Sequence, residues 1–565
     1  MNNLISVIAD KCTGCGACVR ACPAPEANVF KTLEDGRRVV EVNDDKCIAC
    51  GNCLHECPHN ARDFEDDIDK FFKALRDKRI VLLVSPAIKT AFPETWSQIL
   101  KWIKQEGVFA IYDMSLGGDI CAWANLRSIE QGKIKNAISS HCPAVVNYIT
   151  TYHPELVNDL SPVYGPAGCM AVYIRSYLKV NYAVAVLSPC VAERSDLTDG
   201  NGLIEFNITF KRLEEYLSRK RIHFNKNTDS APYSFDDEEG LLGSMMIRES
   251  GMRDNIWLRN PEINISSCAG VRNVYSEIAE FASTPEHVHP MFFDGLSCEC
   301  GCSRGPGADW DVSVFEINNV LREMELDARS RRKTGIMNGP DKQFKHFDEI
   351  FNVKSFMRSF NKTADPREKI SASELNPVFD KMGKKTEESR NINCGACGFK
   401  TCKEMAEAIY CGCNIPDNCI AYAQSTFGGD NKEMALRFTE ISTIAEKVGD
   451  FATKLLADIE NIYASLYNID DANRQSQSRS SIVRDILSKI IGFCGSTDSI
   501  DENNLPILVS TLEKLQSSMD SLNVIIDESV DNSTTIREAM HEVADATTEL
   551  NVMVHEMLDT ADNKY

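Results

Sequence analysis

Two short runs of cysteine constrain this chain more than anything else in it. Residues 12–22 read CTGCGACVRAC with Pro23 following, and residues 47–57 read CIACGNCLHEC with Pro58 following. Both are C-x2-C-x2-C-x3-C-P. Soft thiolate sulfur suits iron, and three thiols in one tight loop cover three corners of an iron–sulfur cube, so the fourth ligand must come from elsewhere. In this paired arrangement it comes from the other run, which staples two halves of a small domain together. Cys12, Cys15, Cys18 and Cys57 are thereby assigned to one 4Fe–4S cluster, and Cys47, Cys50, Cys53 and Cys22 to a second. A pair of zinc sites is the competing reading, but zinc motifs usually show isolated C-x2-C pairs rather than triplets ending in Cys-Pro.

This segment, taken as residues 1–75, resembles a bacterial two-cluster ferredoxin, and the resemblance implies an electron wire rather than a catalyst. Composition points the same way. The 565 residues include 23 cysteines, an odd count that excludes complete internal pairing. In a large chain with no visible secretory signal, metal or redox chemistry is a better default than disulfides. The net charge of −22 repels phosphate backbones and argues against nucleic acid as a partner. The start, MNNLISVIADKC, lacks a basic segment leading into an apolar one, and the apolar run Ile80 to Val84 is far too short to span a bilayer. A cytoplasmic protein with no membrane partner is therefore expected. The length suggests about three or four domains.

From about Ile80 short apolar runs (RIVLLVSP, VFAIYDMS and YAVAVLSPC) alternate with helical patterns such as Glu94 to Lys104 and Met170 to Leu178. Strand–helix alternation predicts α/β architecture with parallel sheets, whose chemistry sits in loops beyond the strand carboxyl ends. Cysteines occupy such loops: Cys142 in SSHCPA, Cys190 directly after AVAVLSP, and Cys298 and Cys302 in DGLSCECGCSRGPG.

In that order, behind a ferredoxin-like segment, these loops resemble the three signature loops of the FeFe hydrogenases, over roughly residues 1–360. The resemblance implies a two-lobed α/β hydrogenase domain at residues 76–360. Cys142, Cys190, Cys298 and Cys302 would hold a 4Fe–4S subcluster, bridged through Cys302 to a two-iron centre bearing CO, cyanide and an azadithiolate. That assembly is the H-cluster, which interconverts H2 with protons and electrons. The departures from the family pattern matter as much. His141 stands where catalytic members carry a proton-relaying cysteine. Glu193 stands where they carry a lysine that donates to cyanide, leaving neighbouring Arg194 as the candidate donor. Ala124 and Asn125 stand where the relay helix carries paired glutamates, and Gly305, Pro306, Gly307 and Ala308 replace the usual glycine triplet with glutamine. The pattern looks like the divergent, sensory branch of the family and implies slow turnover. Cys169, read as lying in the turn before a helix, and Cys121 are candidate proton carriers, since a thiol titrates near 8.5; the alternative is that both are small buried residues. His141 is a candidate local acid. Cys268 and Cys300 are divided between packing and support of the cluster.

A charged stretch reading as a connector or short helix pair leads to Cys394, Cys397, Cys402 and Cys419, spaced C-x2-C-x4-C-x16-C. This resembles the small 4Fe–4S module of Rnf-type electron-transfer proteins, within residues 361–428. Glu404 to Tyr410 is predicted to be an amphipathic helix. Cys411 or Cys413 could replace Cys419, which family spacing prefers.

From residue 429 to 565 the pattern is helical. Met434, Ile441, Val448, Leu455, Ile462 and Ile469 recur every seven residues, with Phe438, Ala445, Ala452, Ile459 and Leu466 between them. A shorter helix, Ile482 to Phe493, follows. Then Leu508, Leu515, Leu522, Ile536, Val543, Leu550 and Met557 share one heptad phase, and Leu512, Met519, Ile526, Met540 and Val554 the other, interrupted at Ser529 and Ser533. Sustained heptads predict a coiled-coil tail, with a self-packed bundle and a docking face for a signalling protein as alternatives. The whole is expected to be a low-turnover hydrogenase-like sensor, dimeric through its tail, with three accessory 4Fe–4S clusters, an H-cluster, and a ferredoxin-like redox carrier as partner. The rival is a non-catalytic iron–sulfur scaffold or electron-transfer protein lacking the two-iron centre.

Overall fold

The computed structural model describes residues 4–198, 202–224, 232–334, 342–362, 367, 370–426 and scattered positions between 454 and 536. The chain divides into two compact units, residues 1–423 and 424–565. The ferredoxin-like segment, the α/β part and the third cysteine block fall within the first of these units.

The first repeat opens the chain. Strand β1 (Ile5–Val7) is followed by the loop of Cys12 to Cys18, a short helix α1 (Ala17–Arg20), and the hairpin β2 (Asn28–Thr32) with β3 (Arg38–Val42). The second repeat gives α2 (Asn52–His55) and β4 (Arg62–Phe64), which pairs antiparallel with β1. The two cysteine loops follow the same backbone path. Gly14 and Ala49 both adopt left-handed φ, +67° and +57°, as do Gly16 and Gly51, at +72° and +73°.

The α/β part has two lobes, each with a parallel sheet. One is ordered β6-β5-β8-β9, from β5 (Ile80–Val84), β6 (Ala110–Asp113), β8 (Ala183–Ser188) and β9 (Phe206–Thr209). The other is ordered β10-β11-β7, from β7 (Ala137–Ile138), β10 (Ile265–Ala269) and β11 (Phe292–Leu296). Strand β5 is buried on both faces, which is why RIVLLVSP is continuously apolar rather than alternating. The three apolar runs form strands as expected.

Helix α3 (Met114–Glu130) leaves the first sheet at β6 and leads to β7 in the second. It is buried along nearly its whole length, so it carries no polar stripe and offers no period-3.6 signal. A Cβ on Gly117 would overlap the Pro166 carbonyl, and one on Gly118 would overlap Gly243, so two segments close on α3 at van der Waals range. Asp119, inside this packing, accepts from the backbone N–H of Leu241 (2.5 Å) and Gly243 (2.7 Å) and from Gln343 Nε2 (3.0 Å). It thereby ties the 240–247 segment to the helix.

Helix α4 (Pro143–Tyr152) and helix α5 (Pro166–Val172) complete the frame of the cavity described below. Cys169 lies inside α5, not in a turn before it. The charged connector is a helix pair, α6 (Ala372–Lys381) and the short Glu387–Arg390, both with capping boxes. Helix α7 (Cys402–Tyr410) packs with α6 around Leu375, Phe379, Met382 and Met405. Phe30 N–H donates to the Gly412 carbonyl at 2.7 Å, and Arg367 Nη2 to the Tyr152 carbonyl at 3.0 Å, joining this block to the rest of the unit.

In the second unit the described positions are helical. Leu515, Leu522, Ser529 and Ile536 are half-buried, in line with the first heptad phase. Leu512, of the second phase, is 45% exposed, whereas Ile525 is 7% exposed and Thr511 and Ser518 are half-buried. The face therefore alternates through residues 511, 518 and 525 rather than through Leu512. The seam positions from Met434 to Ile469, Cys494, and Leu508, Met519, Ile526, Ser533, Met540, Val543, Leu550, Val554 and Met557, lie outside the described residues. Among the described residues no helix is long and apolar enough to cross a membrane.

Candidate metal centres and active site

Several of the N-terminal cysteines approach one another in the crossed pattern. The thiol of Cys18 feels those of Cys57 and Cys12, while Cys50 feels Cys22, Cys53 and Cys47. Cys15 is exposed at the tip of its loop. Burial pushes the thiols of Cys18, Cys22, Cys47, Cys50 and Cys53 up, Cys22 to about 12, so their thiolates need a compensating positive charge to exist. Iron in a cluster would supply it. Cys47 Sγ accepts from Ala49 N–H at 3.4 Å and Cys57 Sγ from Ala61 N–H at 3.3 Å. Arg62, a residue the sequence did not single out, is buried and donates to Cys18 Sγ at 2.8 Å. Its charge also reaches Cys53, so one guanidinium serves both sets. Among the described residues no three His, Cys, Asp or Glu side chains close on a single metal ion. Thiols on a cubane bind separate irons and stand farther apart than that.

The third block groups Cys397 electrostatically with Cys394 and Cys419, and packs Cys402 and Cys419 into one apolar cluster. Cys413 instead faces the ion pair of Glu26 and Lys46, and its thiol is pushed up to about 11 by burial. Cys411 lies with it in a surface cavity beside Cys22. Cys419, rather than Cys411 or Cys413, thus lies with Cys394, Cys397 and Cys402.

A cavity lies at the carboxyl ends of both parallel sheets. Cys142 follows β7, Cys190 follows β8, and Cys298 and Cys302 follow β11; all four line it. Burial raises each thiol, Cys302 to about 12, and each feels its neighbours. Backbone N–H groups of Ser297, Val145 and Ala144 point at Cys142, which favours its thiolate. The far wall is apolar: Pro86, Met114, Pro166, Ala167, Met246 and Ile247. Ala49 and Cys50 also reach the cavity, so the second accessory set abuts it directly. A Cβ on Gly51 would overlap the Pro306 ring, so glycine is required where the repeat meets the third loop. Alongside, His55 stacks on Trp310 with ring centres 3.3 Å apart.

Four more sequence candidates separate here. His141 lines the cavity; its Nε2 lies 3.6 Å from Asp294 Oδ1, and Nδ1 has no hydrogen-bond partner. Burial lowers the imidazole and raises the Asp294 carboxyl, so both lean to their neutral forms. Asp294, within β11, was missed because one aspartate in an apolar strand carries no spacing signal. Glu193 also lines the cavity and raises the Cys190 thiol. Arg194 does not: it forms a buried ion pair with Asp67 at 2.6 Å, away from the cavity lining, which corrects its expected role as donor inside the cavity. Cys169 lies behind the α5 wall, donating to the Tyr164 carbonyl at 3.2 Å and sharing a hydrogen bond with Cys121. Asn125 Nδ2 approaches Cys121 Sγ at 3.6 Å, and Ser161 Oγ donates to Asn125 Oδ1 at 2.6 Å. Cys268 is buried near Glu277, and Cys300 is exposed with a left-handed φ of +60°; neither lines the cavity.

The donor sets fit iron–sulfur clusters: soft, buried thiols, backbone N–H groups aimed at sulfur, and a cavity adjoining one set. Comparisons with known proteins agree. Residues 78–306 match the family described as iron only hydrogenase large subunit, C-terminal domain; residues 11–61 match the 4Fe-4S dicluster domain; residues 391–421 match an Fe-S cluster family. The chain is 22% identical over 372 residues to iron hydrogenase 1 of Clostridium pasteurianum, covering 54% of this chain and 64% of that protein. It is 26% identical over 274 residues to the periplasmic [Fe] hydrogenase large subunit of Nitratidesulfovibrio vulgaris, covering 42% and 64%. The chain thus spans less than two thirds of each of these relatives. Among solved structures, a variant of FeFe-hydrogenase HydA1 from Chlamydomonas reinhardtii is similar with a TM-score of 0.38 and 12% identity, covering 53% of this chain and 100% of that one.

Proposed function

Because the chain is homologous to the FeFe hydrogenases, we propose that it interconverts H2 with protons and electrons at low turnover and serves as a hydrogen or redox sensor. One observation carries this reading: four cysteines from three loops of two sheets line a single, largely apolar cavity that also touches an accessory cysteine set. A cubane on Cys142, Cys190, Cys298 and Cys302, joined through Cys302 to a two-iron centre, would supply the hydrogen chemistry when bound. The residues of this chain do the rest. Backbone N–H groups stabilise the Cys142 thiolate, and the Pro86, Met114, Pro166 and Met246 wall excludes water. The His141 imidazole and the Glu193 carboxyl are proton-holding groups among the cavity lining. Behind the wall, the thiols of Cys169 and Cys121 are the next ones along α5 and α3. Low turnover follows from Ala124 and Asn125, neither of which takes up or releases a proton near neutral pH. Electrons pass by way of Cys50 and its set to a ferredoxin-like carrier.

The test is infrared absorption after maturation with a synthetic two-iron precursor. CO and cyanide bands with measurable H2 turnover are expected. A protein fully loaded with cubanes but silent in the infrared would be the non-catalytic scaffold instead. The sensory half of the proposal rests on the helical tail. Its heptads favour a dimer in cytoplasmic conditions, with a signalling protein as downstream partner. Light scattering is expected to give twice the chain mass, falling to one when residues 430–565 are deleted; a full-length monomer would refute the dimer.

A further inference from the structure

Helix α4 begins against Cys142 and ends at Tyr152. Its two tyrosines, Tyr148 and Tyr152, form a buried row with Tyr275, with ring centres 5.4 Å and 4.5 Å apart. The two ends of the row hold different loops. The Tyr152 hydroxyl lies 2.8 Å from the Pro25 carbonyl and 2.6 Å from the Lys46 carbonyl, bridging the segments that carry Cys22 and Cys47. The Tyr275 hydroxyl donates to Ser297 Oγ at 2.8 Å, and Ser297 immediately precedes Cys298 and aims its N–H at Cys142. One apolar cluster encloses all three rings and packs against Cys22, Cys47 and Cys50 on one side and Cys190 and Cys302 on the other. The ring of Tyr275 is close enough to feel Cys50, Cys142 and Cys298 at once.

Resting on the reading of Cys142, Cys190, Cys298 and Cys302 as cubane ligands, we propose that Tyr275 is a positioning residue for the electron step between the second accessory cluster and the cavity cubane. In that step one electron leaves the Cys22, Cys47, Cys50 and Cys53 cluster and enters the cubane; no proton moves and no bond is made or broken. The phenol proton points into the loop of Ser297 and Cys298. Donors near cluster sulfur stabilise the reduced, more negative state. The Tyr275 hydroxyl therefore raises the potential of the cubane, while its ring belongs to the apolar cluster that meets both Cys50 and Cys302.

The experiment is a redox titration of the full-length, four-cluster protein followed by electron paramagnetic resonance. Tyr275→Phe keeps the ring and deletes the hydroxyl. It is expected to shift the cavity cubane to lower potential, the adjoining second accessory cluster less, and the other two accessory clusters not at all. Ser297→Ala, which does not touch the ring, is expected to shift the same cluster in the same direction. Tyr275→Leu, which removes the ring, should also slow reoxidation of the second accessory cluster in freeze-quench samples. Unchanged potentials in both Tyr275→Phe and Ser297→Ala, or an equal shift of all four clusters, would overturn the proposal. A wild-type protein with no cavity cubane signal would instead overturn the reading of the site.

Discussion

The cavity has two walls built on opposite principles. On the cysteine side, thiols come from loops pinned by backbone hydrogen bonds and tight turns, and the second accessory set stands against them. On the far side, Met114, Pro166, Ala167 and Met246 offer no group that titrates, and the nearest thiols, Cys169 and Cys121, are buried behind the wall. An electron can tunnel through packed protein between fixed stations, so its route needs only proximity. A proton needs a continuous set of groups within hydrogen-bond reach. If the cavity turns over hydrogen as proposed, its electron route is densely built and its proton route sparse, and the rate would report on the proton wall.

The largest expected effect comes from the cysteine wall. Cys190→Ala should remove one cubane, about four irons of about 16, and abolish hydrogen turnover. Cys419→Ala should also remove about four irons yet leave turnover with a small dye as electron donor, because the third block lies outside the cavity. Iron analysis with a dye-linked assay checks both. If Cys411→Ala removes a cluster and Cys419→Ala does not, the ligand set of the third block is misassigned.

A smaller effect is expected at the proton wall. Cys169→Ala should slow the remaining turnover, by up to about 10²-fold if the thiol is the main carrier, without changing iron content or infrared bands. Gas-exchange measurements on the matured protein decide it. Unchanged turnover would make Cys169 a packing residue of α5 and move the burden to His141 and Glu193.

How much of this was legible in the sequence follows from the same contrast. Cysteine spacing is a local property, so the two iron–sulfur segments at residues 11–61 and 391–421 could be read directly. Three of the four strands of the first sheet were legible because buried parallel strands read as unbroken apolar runs. What lay hidden is what only tertiary contact creates. Arg194 looks like a cavity donor by position but meets Asp67, a residue far away in sequence. Asp294, Arg62 and Tyr275 matter through single contacts that no spacing announces. Helix α3 is buried all round and has no period to read. In the tail, spacing alone could not choose between Leu512 and its neighbours as the inward position.

The smallest expected effect concerns the frame both walls share. Asp119 on α3 holds the 240–247 segment, which brings Gly243, Met246 and Ile247 to the cavity. Burial raises its carboxyl above the ordinary carboxylate value, although Arg259 and the donors from Leu241, Gln343 and Gly243 oppose the shift. The protonated form is the one burial favours. Its stabilising contribution is complete below the unfolded-state value and is lost as pH rises through the folded one. Asp119→Asn keeps the shape, cannot ionise, and trades one acceptor for a donor that faces a backbone N–H. The loss should be about 1–2 kcal/mol on the acid side, shrinking as pH rises and the wild-type carboxyl ionises. Asp119→Ala leaves both N–H groups unmet and should cost more at every pH, about 3 kcal/mol. Denaturant unfolding of the cluster-loaded protein across pH checks the trend. A penalty for Asp119→Asn that grows with pH would show that Asp119 is ionised throughout and that its charge, rather than its acceptors, holds the wall in place.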